Sequence, residues 1–266
     1  MSATPIRGPL CTTTSLVEDF RRLHLRPGDV LLVHSSLRSL GWVCGGAEAV
    51  VAALLEALGD SGTLVVPTHT GDNSDPAEWR HPRAPEGWHA VIRASMPAYD
   101  PRTSRTRAMG RVPETVRTWP GALRSAHPQT SFAAIGPDAG TVLAGHALDC
   151  RLGENSPLAR LEKVGAKVLL LGVSWESCTA FHLAEYRLSP GPALVKNAFA
   201  VTVDNERRWM EVTEPDVSDA GFASLGADYE RQGSVITGQV GAACARLFPL
   251  ADAVSFATRW LTLNRL

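Results

Sequence analysis

The chain has 266 residues, 44% of them hydrophobic and 20% charged, and a formal net charge of -1. Such a composition supplies enough apolar surface for a sizeable core and excludes disorder as the default state. It also lacks the basic excess that a phosphate-backbone binder needs, so nucleic acid is excluded as a partner and a small molecule is expected.

Taken in order, Ser15 followed by Glu18 predicts a capping box, after which Leu16, Val17, Phe20 and Leu23 recur at helical spacing. The Pro27-Gly28-Asp29 turn leads to Val30–Val33, a continuously apolar run suited to a buried strand that ends at His34. Past the loop HSSLRSLGWVCGG, a helix is predicted along Val50, Val51, Leu54, Leu55 and Leu58, stopped by Gly59, and Thr63 to Pro67 starts another buried strand. Residues 70–130 are richer in Pro, Arg, Trp and His, and are expected to form loops and short helices over the sheet. Ser156-Pro157 reads as a cap followed by a first-turn proline, and Val168–Val173 as the clearest strand. A helix over Ser177–Leu188, a hairpin of Ala198–Val203 and Arg207–Val212 around Asp204-Asn205, and a closing helix over Ala253–Leu261 complete the pattern. An α/β fold is predicted, as one domain over 1–266.

Five cysteines, Cys11, Cys44, Cys150, Cys178 and Cys244, are scattered without a Cys-x-x-Cys pair, as in a protein of reduced thiols. The segment MSATPIRGPLC lacks the apolar run of a signal peptide or membrane span, and a cytoplasmic location is expected. His69, His127 and His182 lack metal-site spacing, so no metal is expected.

Two segments carry candidate chemistry. His34-Ser35-Ser36-Leu37-Arg38-Ser39-Leu40-Gly41 lies just past a buried strand, where open α/β sheets bind ligands; its hydroxyls, arginine and glycine suit a pyrophosphate-bearing cofactor as well as they suit an ordinary polar connection. In Thr179–Tyr186, His182 and Glu185 stand three apart on one helix face, the spacing of an imidazole held by a carboxylate as a general base, although surface pairs share it. Cys178, four residues before His182, would imply a covalent acyl-enzyme if it acted on substrate; a small buried thiol is the other reading. Carboxylates at Asp72, Asp75, Glu78, Glu211, Glu214, Asp216 and Asp219 would attract a cationic substrate if they met at a cleft, and would otherwise be solvated loop charges.

The segments VHSSLRSLGWVCGGAEAVVAAL, PTHTGDNSDPAEW, MGRVPETVRTWPGALRSAHPQTSFAAIGPDA and GENSPLARLEKVGAKVLLLGVSWESCTAFHLAEYR, with the closing GQVGAACARLFPLADAVSFATRWL, resemble the aminoglycoside 3-N-acetyltransferase family in order and spacing. The resemblance implies a mixed central sheet flanked by helices, the antibiotic N-acetyltransferase fold that differs from the GNAT fold. It implies acetyl-CoA as cosubstrate, held at Ser35, Ser36, Leu37 and Arg38 with Gly110, Arg111, Val112, Ser131 and Phe132. It places the catalytic base at His182 with Glu185 beside it, and substrate-facing acids at Asp72 and, more weakly, Asp216. The segment VTEPDVSDAGFASLG departs most from the family's pattern and leaves open another acceptor amine, such as an aminophosphonate. A non-catalytic protein that binds CoA or an aminoglycoside is the alternative outside enzymes. The expected partner is a small-molecule amine, without nucleic acid or membrane, and a homodimer is left open.

Overall fold

The computed structural model describes residues 8–232 and 234–265. Its first elements are β1 (Leu10–Cys11), α1 (Thr13–Arg22), β2 (Val30–Ser35), β3 (Trp42–Val43), α2 (Gly46–Leu58) and β4 (Thr63–Pro67). The expected capping box lies one turn earlier than its Ser15/Glu18 reading: Thr12 Oγ1 accepts from Ser15 N at 3.2 Å, and Ser15 Oγ accepts from Thr12 N at 2.9 Å. A serine hydroxyl at the third helical position closes the box as a glutamate would.

The proline- and arginine-rich stretch forms loops with α3 (His89–Ser95), α4 (Arg111–Arg117) and β5 (Leu123–Arg124), and β6 (Phe132–Ile135) follows. Next come α5 (Ala139–Leu143), α6 (Pro157–Lys163), β7 (Lys167–Leu171) and α7 (Ala180–Glu185). The Ser156 cap is realised, its hydroxyl accepting from Leu158 N at 3.2 Å. β8 (Leu194–Val203) and β9 (Glu206–Pro215) make the expected hairpin, extended at both ends; Asp204 and Asn205 turn it with φ of 51° and 63°, as a two-residue turn of matching twist requires. The last elements are α8 (Phe222–Glu230), the hairpin of β10 (Ile236–Val240) and β11 (Ala243–Pro249), and α9 (Leu250–Asn264).

Seven strands form one mixed sheet in the order β10-β11-β7-β2-β4-β6-β5, in which β7, β2 and β4 are mutually parallel and the outer pairings are antiparallel. The centre is parallel because α2 returns the chain from β2 to β4, and helices cover both faces. Alternation along the strands divides the core accordingly. Leu32, Val65, Val168 and Leu170 pack with Phe132, Phe181 and Phe222 under α5–α9; Leu31, Val33, Leu64 and Leu169 pack under α1, α2 and α4. Strands that bury both faces have no polar alternation, which is why β2, β4 and β7 are plain in the sequence.

Beneath β8, the His127 and His146 rings lie 4.7 Å apart, and His127 also meets Phe199. His127 Nδ1 accepts from Gln129 N and Thr130 N, each at 3.1 Å, which requires a neutral ring. Burial, reinforced for His127 by the neighbouring His146, holds the two imidazoles well below their usual range, at about 2 and about 4.

Two stability measurements follow. Leu170 is fully buried in β7, and Leu170→Ala should cost about 2–5 kcal/mol, read as a lower urea midpoint at unchanged m-value. Between the depressed folded pKa values and the unfolded value near 6.5, the unfolded chain binds protons that the native rings refuse, so stability present at neutral pH is lost as pH falls. From pH 7 to pH 5 the loss should be about 2 kcal/mol for each of these two histidines. Urea titrations should show a shallower pH slope in His127→Gln.

Candidate active site

Parallel strands end together, and the carboxyl ends of β2, β4 and β7 open on one side of the sheet where connecting loops leave room for a ligand. Two adjoining cavities lie there. One, of about 660 Å³, is lined by Ser35, Ser36, Leu37 and Arg38 after β2 and by Gly110 and Arg111 at the start of α4. The second, of about 370 Å³, contains His34, His69, Thr179 and His182. Ser35, Ala108 and Met109 line both, so the arginine-bearing mouth and the imidazole belong to one continuous groove. The loop after β2 is pinned to the end of β7 by Ser36 N donating to Leu171 O at 2.9 Å and Ser39 Oγ donating to Gly172 O at 2.9 Å. A Cβ on Gly172, whose φ is +67°, would sit 2.6 Å from the Cβ of Ser39, so glycine permits this close approach.

α7 is shorter than the 177–188 helix expected from sequence. A 3-10 turn over Trp175–Ser177 precedes it, and Cys178, with ψ of 89°, is outside helical geometry. The spacing within it does what was expected: His182 Nδ1 meets Glu185 Oε2 at 2.5 Å. Glu185 is fully buried, and its Oε1 accepts from Ser218 N at 3.0 Å and from the Arg265 guanidinium. Arg265 also donates to Ser218 O at 2.8 Å and to Ala220 O, and lies over the Phe222 ring. The same Phe222 ring packs 4.9 Å from His182. With Nδ1 engaged by the carboxylate, Nε2 is the other ring nitrogen of a residue that lines the second cavity.

His34 Nε2 lies 3.3 Å from Thr179 Oγ1, and burial together with the adjacent His182 lowers its pKa to about 3. His69 is lowered to about 3 by burial first and then by His34 and His182, and its Nε2 is buried with no hydrogen-bond partner among the described residues. Both are neutral rings near neutral pH. The Cys178 thiol is fully buried and pushed up to about 12 by that burial, and it lines neither cavity. It is the small core thiol of the two readings, because a protonated sulfur in an apolar core is a poor nucleophile.

Other sequence-derived candidates fall elsewhere. Val112 is a buried residue of α4, and Phe132 is buried in the core. Ser131 is buried, its hydroxyl donating to Thr68 O at 2.8 Å and accepting from Arg124 Nε at 3.1 Å. These three support the walls from behind and line neither cavity. Asp72 is exposed and paired with Arg107 at 3.4 Å; Asp216 is exposed with its N–H on Ala193 O. Neither lines the groove. Arg265 and Ser218, which clamp Glu185, were not singled out in the sequence, since 80 residues separate Arg265 from Glu185 and no local pattern links them. His34 carried a visible signal, being the first polar residue at the end of an apolar strand.

The family model described as aminoglycoside 3-N-acetyltransferase matches residues 32–262. The SPbeta prophage-derived aminoglycoside N(3')-acetyltransferase-like protein YokD of Bacillus subtilis (strain 168) is 42% identical over 254 residues, covering 95% of this chain and 93% of that protein. The crystal structure of YokD superposes with a TM-score of 0.95 at 41% identity, over 97% of this chain and 95% of that one. Aminoglycoside N(3)-acetyltransferase VIII of Streptomyces fradiae is 38% identical, with 96% of this chain and 92% of that protein covered. The binary complex of AAC-IIIb with CoASH matches with a TM-score of 0.85 at 31% identity, over 95% and 97% of the two chains. The resemblance read from the motifs therefore holds: the chain is an acyltransferase and belongs to the aminoglycoside 3-N-acetyltransferase family.

Proposed function

We propose that this chain transfers the acetyl group of acetyl-CoA to the 3-amino group of an aminoglycoside, with His182 as general base, and that this confers resistance. The observation that carries the reading is the shared groove. A carboxylate-held imidazole stands in a cavity that adjoins, through Ser35, a second cavity with Arg38 and Arg111 in its lining. Two guanidinium groups fit the phosphates of a CoA molecule. The AAC-IIIb complex with CoASH supports the cosubstrate, and the family description supports the acceptor.

In this reading the acceptor nitrogen attacks the thioester carbonyl carbon while His182 Nε2 takes the proton it loses. The buried carboxylate of Glu185 stabilises the imidazolium that results. The carbonyl electrons move onto oxygen, where a donor is needed. The Ser35 hydroxyl is buried, has no hydrogen-bond partner among the described residues and lines both cavities, which suits that task. Collapse of the tetrahedral intermediate breaks the C–S bond, and the sulfur leaves with the proton from His182. One acyl transfer between two bound substrates uses His182, Ser35 and the two arginines of the groove, and the protonated, buried Cys178 has no part in it.

Free-thiol release and product mass, measured against gentamicin, kanamycin, apramycin and simple primary amines, test the reading. Release dependent on an aminoglycoside, with one acetyl added, is the expected result; binding without product would return the chain to the non-catalytic alternative. His182→Ala should lower kcat by about two to four orders of magnitude while leaving CoA affinity unchanged by calorimetry. Near-native turnover in that variant overturns the base assignment. Arg38→Ala should raise the KM for acetyl-CoA by about 5- to 30-fold at constant kcat, the loss of one guanidinium contact to phosphate. An unchanged KM would place the cosubstrate elsewhere.

A further inference from the structure

A general base has to be neutral before it can take a proton, and the carboxylates around His182 work against that state. Glu185 holds its Nδ1 at 2.5 Å, and Glu176 and Asp219 line the same cavity. A carboxylate beside an imidazole favours the charged ring, and a buried site strengthens the pull. The other titratable groups of the cavity supply no opposing charge, since His34 and His69 are held neutral with values near 3. Arg38 and Arg111 line the adjoining cavity, where the phosphates of the cosubstrate would engage them. Neighbouring charges on the helices are committed elsewhere: Arg187 to Glu154 and Glu162, Asp228 of α8 to Trp260, and Arg259 of α9 to Ser255.

The opposing charge comes from Arg265, just past α9. Its guanidinium donates to Glu185 Oε1, whereas His182 uses Oε2, so the carboxylate lies between the cation and the ring. Among the described residues, Arg265 is the one cationic side chain besides the histidine that pairs with Glu185. It is anchored independently of that carboxylate. The carbonyls of Ser218 and Ala220 accept from it, and it lies over Phe222, the ring that also packs against His182. The Arg265 side chain is 25% exposed where that of Glu185 is 1% exposed. The arginine therefore keeps its charge at little desolvation cost, and the carboxylate depends on it.

We propose that Arg265 is a positioning residue that balances the charge of Glu185 and so keeps His182 an unprotonated base at neutral pH. The inference rests on the acetyl-transfer reading and deepens it, because it says what leaves the base free to act. With the guanidinium in place, the carboxylate still stabilises the imidazolium formed during transfer, yet its pull on the resting ring is offset. Without the guanidinium, the full carboxylate charge holds a proton on the ring before the acceptor arrives. The charge at position 265, more than its hydrogen bonds, then sets the pH range in which the enzyme works.

The test compares the full-length wild type with Arg265→Gln, which keeps donors for the carbonyls and loses the charge, and Arg265→Lys, which keeps the charge and loses the planar fork. For each, kcat/KM for kanamycin at saturating acetyl-CoA is followed from about pH 5.5 to about pH 9.5. In Arg265→Gln the acidic limb should move up by at least about one pH unit, with turnover about tenfold down near pH 6.5 and back within about threefold near pH 9. Arg265→Lys should keep the limb within about half a unit of wild type. The amines of kanamycin titrate alike with all three proteins, so the difference belongs to the enzyme. Millimolar guanidinium ion should restore the limb in Arg265→Ala, a second variant with room for it. The same upward shift should appear without substrate, in the ring titration of His182 followed by NMR, with His182→Ala identifying the resonance. A loss in Arg265→Gln that is equal at every pH, with an unmoved His182 titration, overturns the inference and leaves Arg265 a structural clamp. Wild-type enzyme that releases no thiol with any aminoglycoside overturns the acetyl-transfer reading instead, and the NMR titration still decides the charge balance.

Discussion

The buried carboxylate of Glu185 is the constraint from which the site is built. A charge fully removed from water is tolerated only when it is paired and hydrogen-bonded, and here each oxygen has partners: His182 Nδ1 on one, Arg265 and Ser218 N on the other. Those partners come from α7, the loop after β9 and the residue just past α9, so three distant segments must dock before the carboxylate is satisfied. The imidazole is fixed as a consequence. Its Nδ1 has one acceptor, its face lies against Phe222, and its remaining nitrogen is left to the cavity.

That arrangement stands where the parallel strands deliver it. β2 ends at Ser35 and β7 at Leu171, neighbours in register, so the loop after β2 and the turn before α7 leave the sheet side by side. The first carries the cavity with Arg38 and the second carries His182. Strand register therefore sets the distance between the Arg38 loop and the segment that carries His182, and the contacts of Ser36 and Ser39 across to β7 lock the two together. The absence of room at Gly172 is part of the same design, since any side chain there would push the loop after β2 off the strand it borders.

How much of this the sequence disclosed depends on how local each interaction is. The central strands are legible because apolar runs such as Val30–Val33 have only one place to go, and the strand expected to start over Thr63–Pro67 is β4. The β6 strand and the β10–β11 hairpin were not assigned in advance, because short runs such as Phe132–Ile135 lack the length or alternation that separates strand from loop. Within the site, His182 and Glu185 were legible since one helix turn joins them. Arg265 was not, because it reaches Glu185 through tertiary packing. The family resemblance places Ser131 and Phe132 in the cofactor set position by position, whereas the pleat of β6 turns Phe132 into the core and the Thr68 and Arg124 contacts hold Ser131 behind the wall, so neither lines either cavity.

In the proposed transfer His182 is the base among the three imidazoles of the cavity because it is the one held by a carboxylate. His34, His69 and His182 line a single cavity, and three imidazolium ions there would repel each other in a region of low dielectric. Burial settles the matter by holding His34 and His69 neutral, with values near 3. Among the described residues, His182 is the one ring of the three with a carboxylate at its Nδ1, so in the proposed transfer a proton accepted at its Nε2 meets a compensating charge. The neutral rings of His34 and His69 beside it do not compete for the proton in that reading. The division of labour follows from the placement of one glutamate, which returns the chemistry of the groove to the same buried carboxylate that organises its structure.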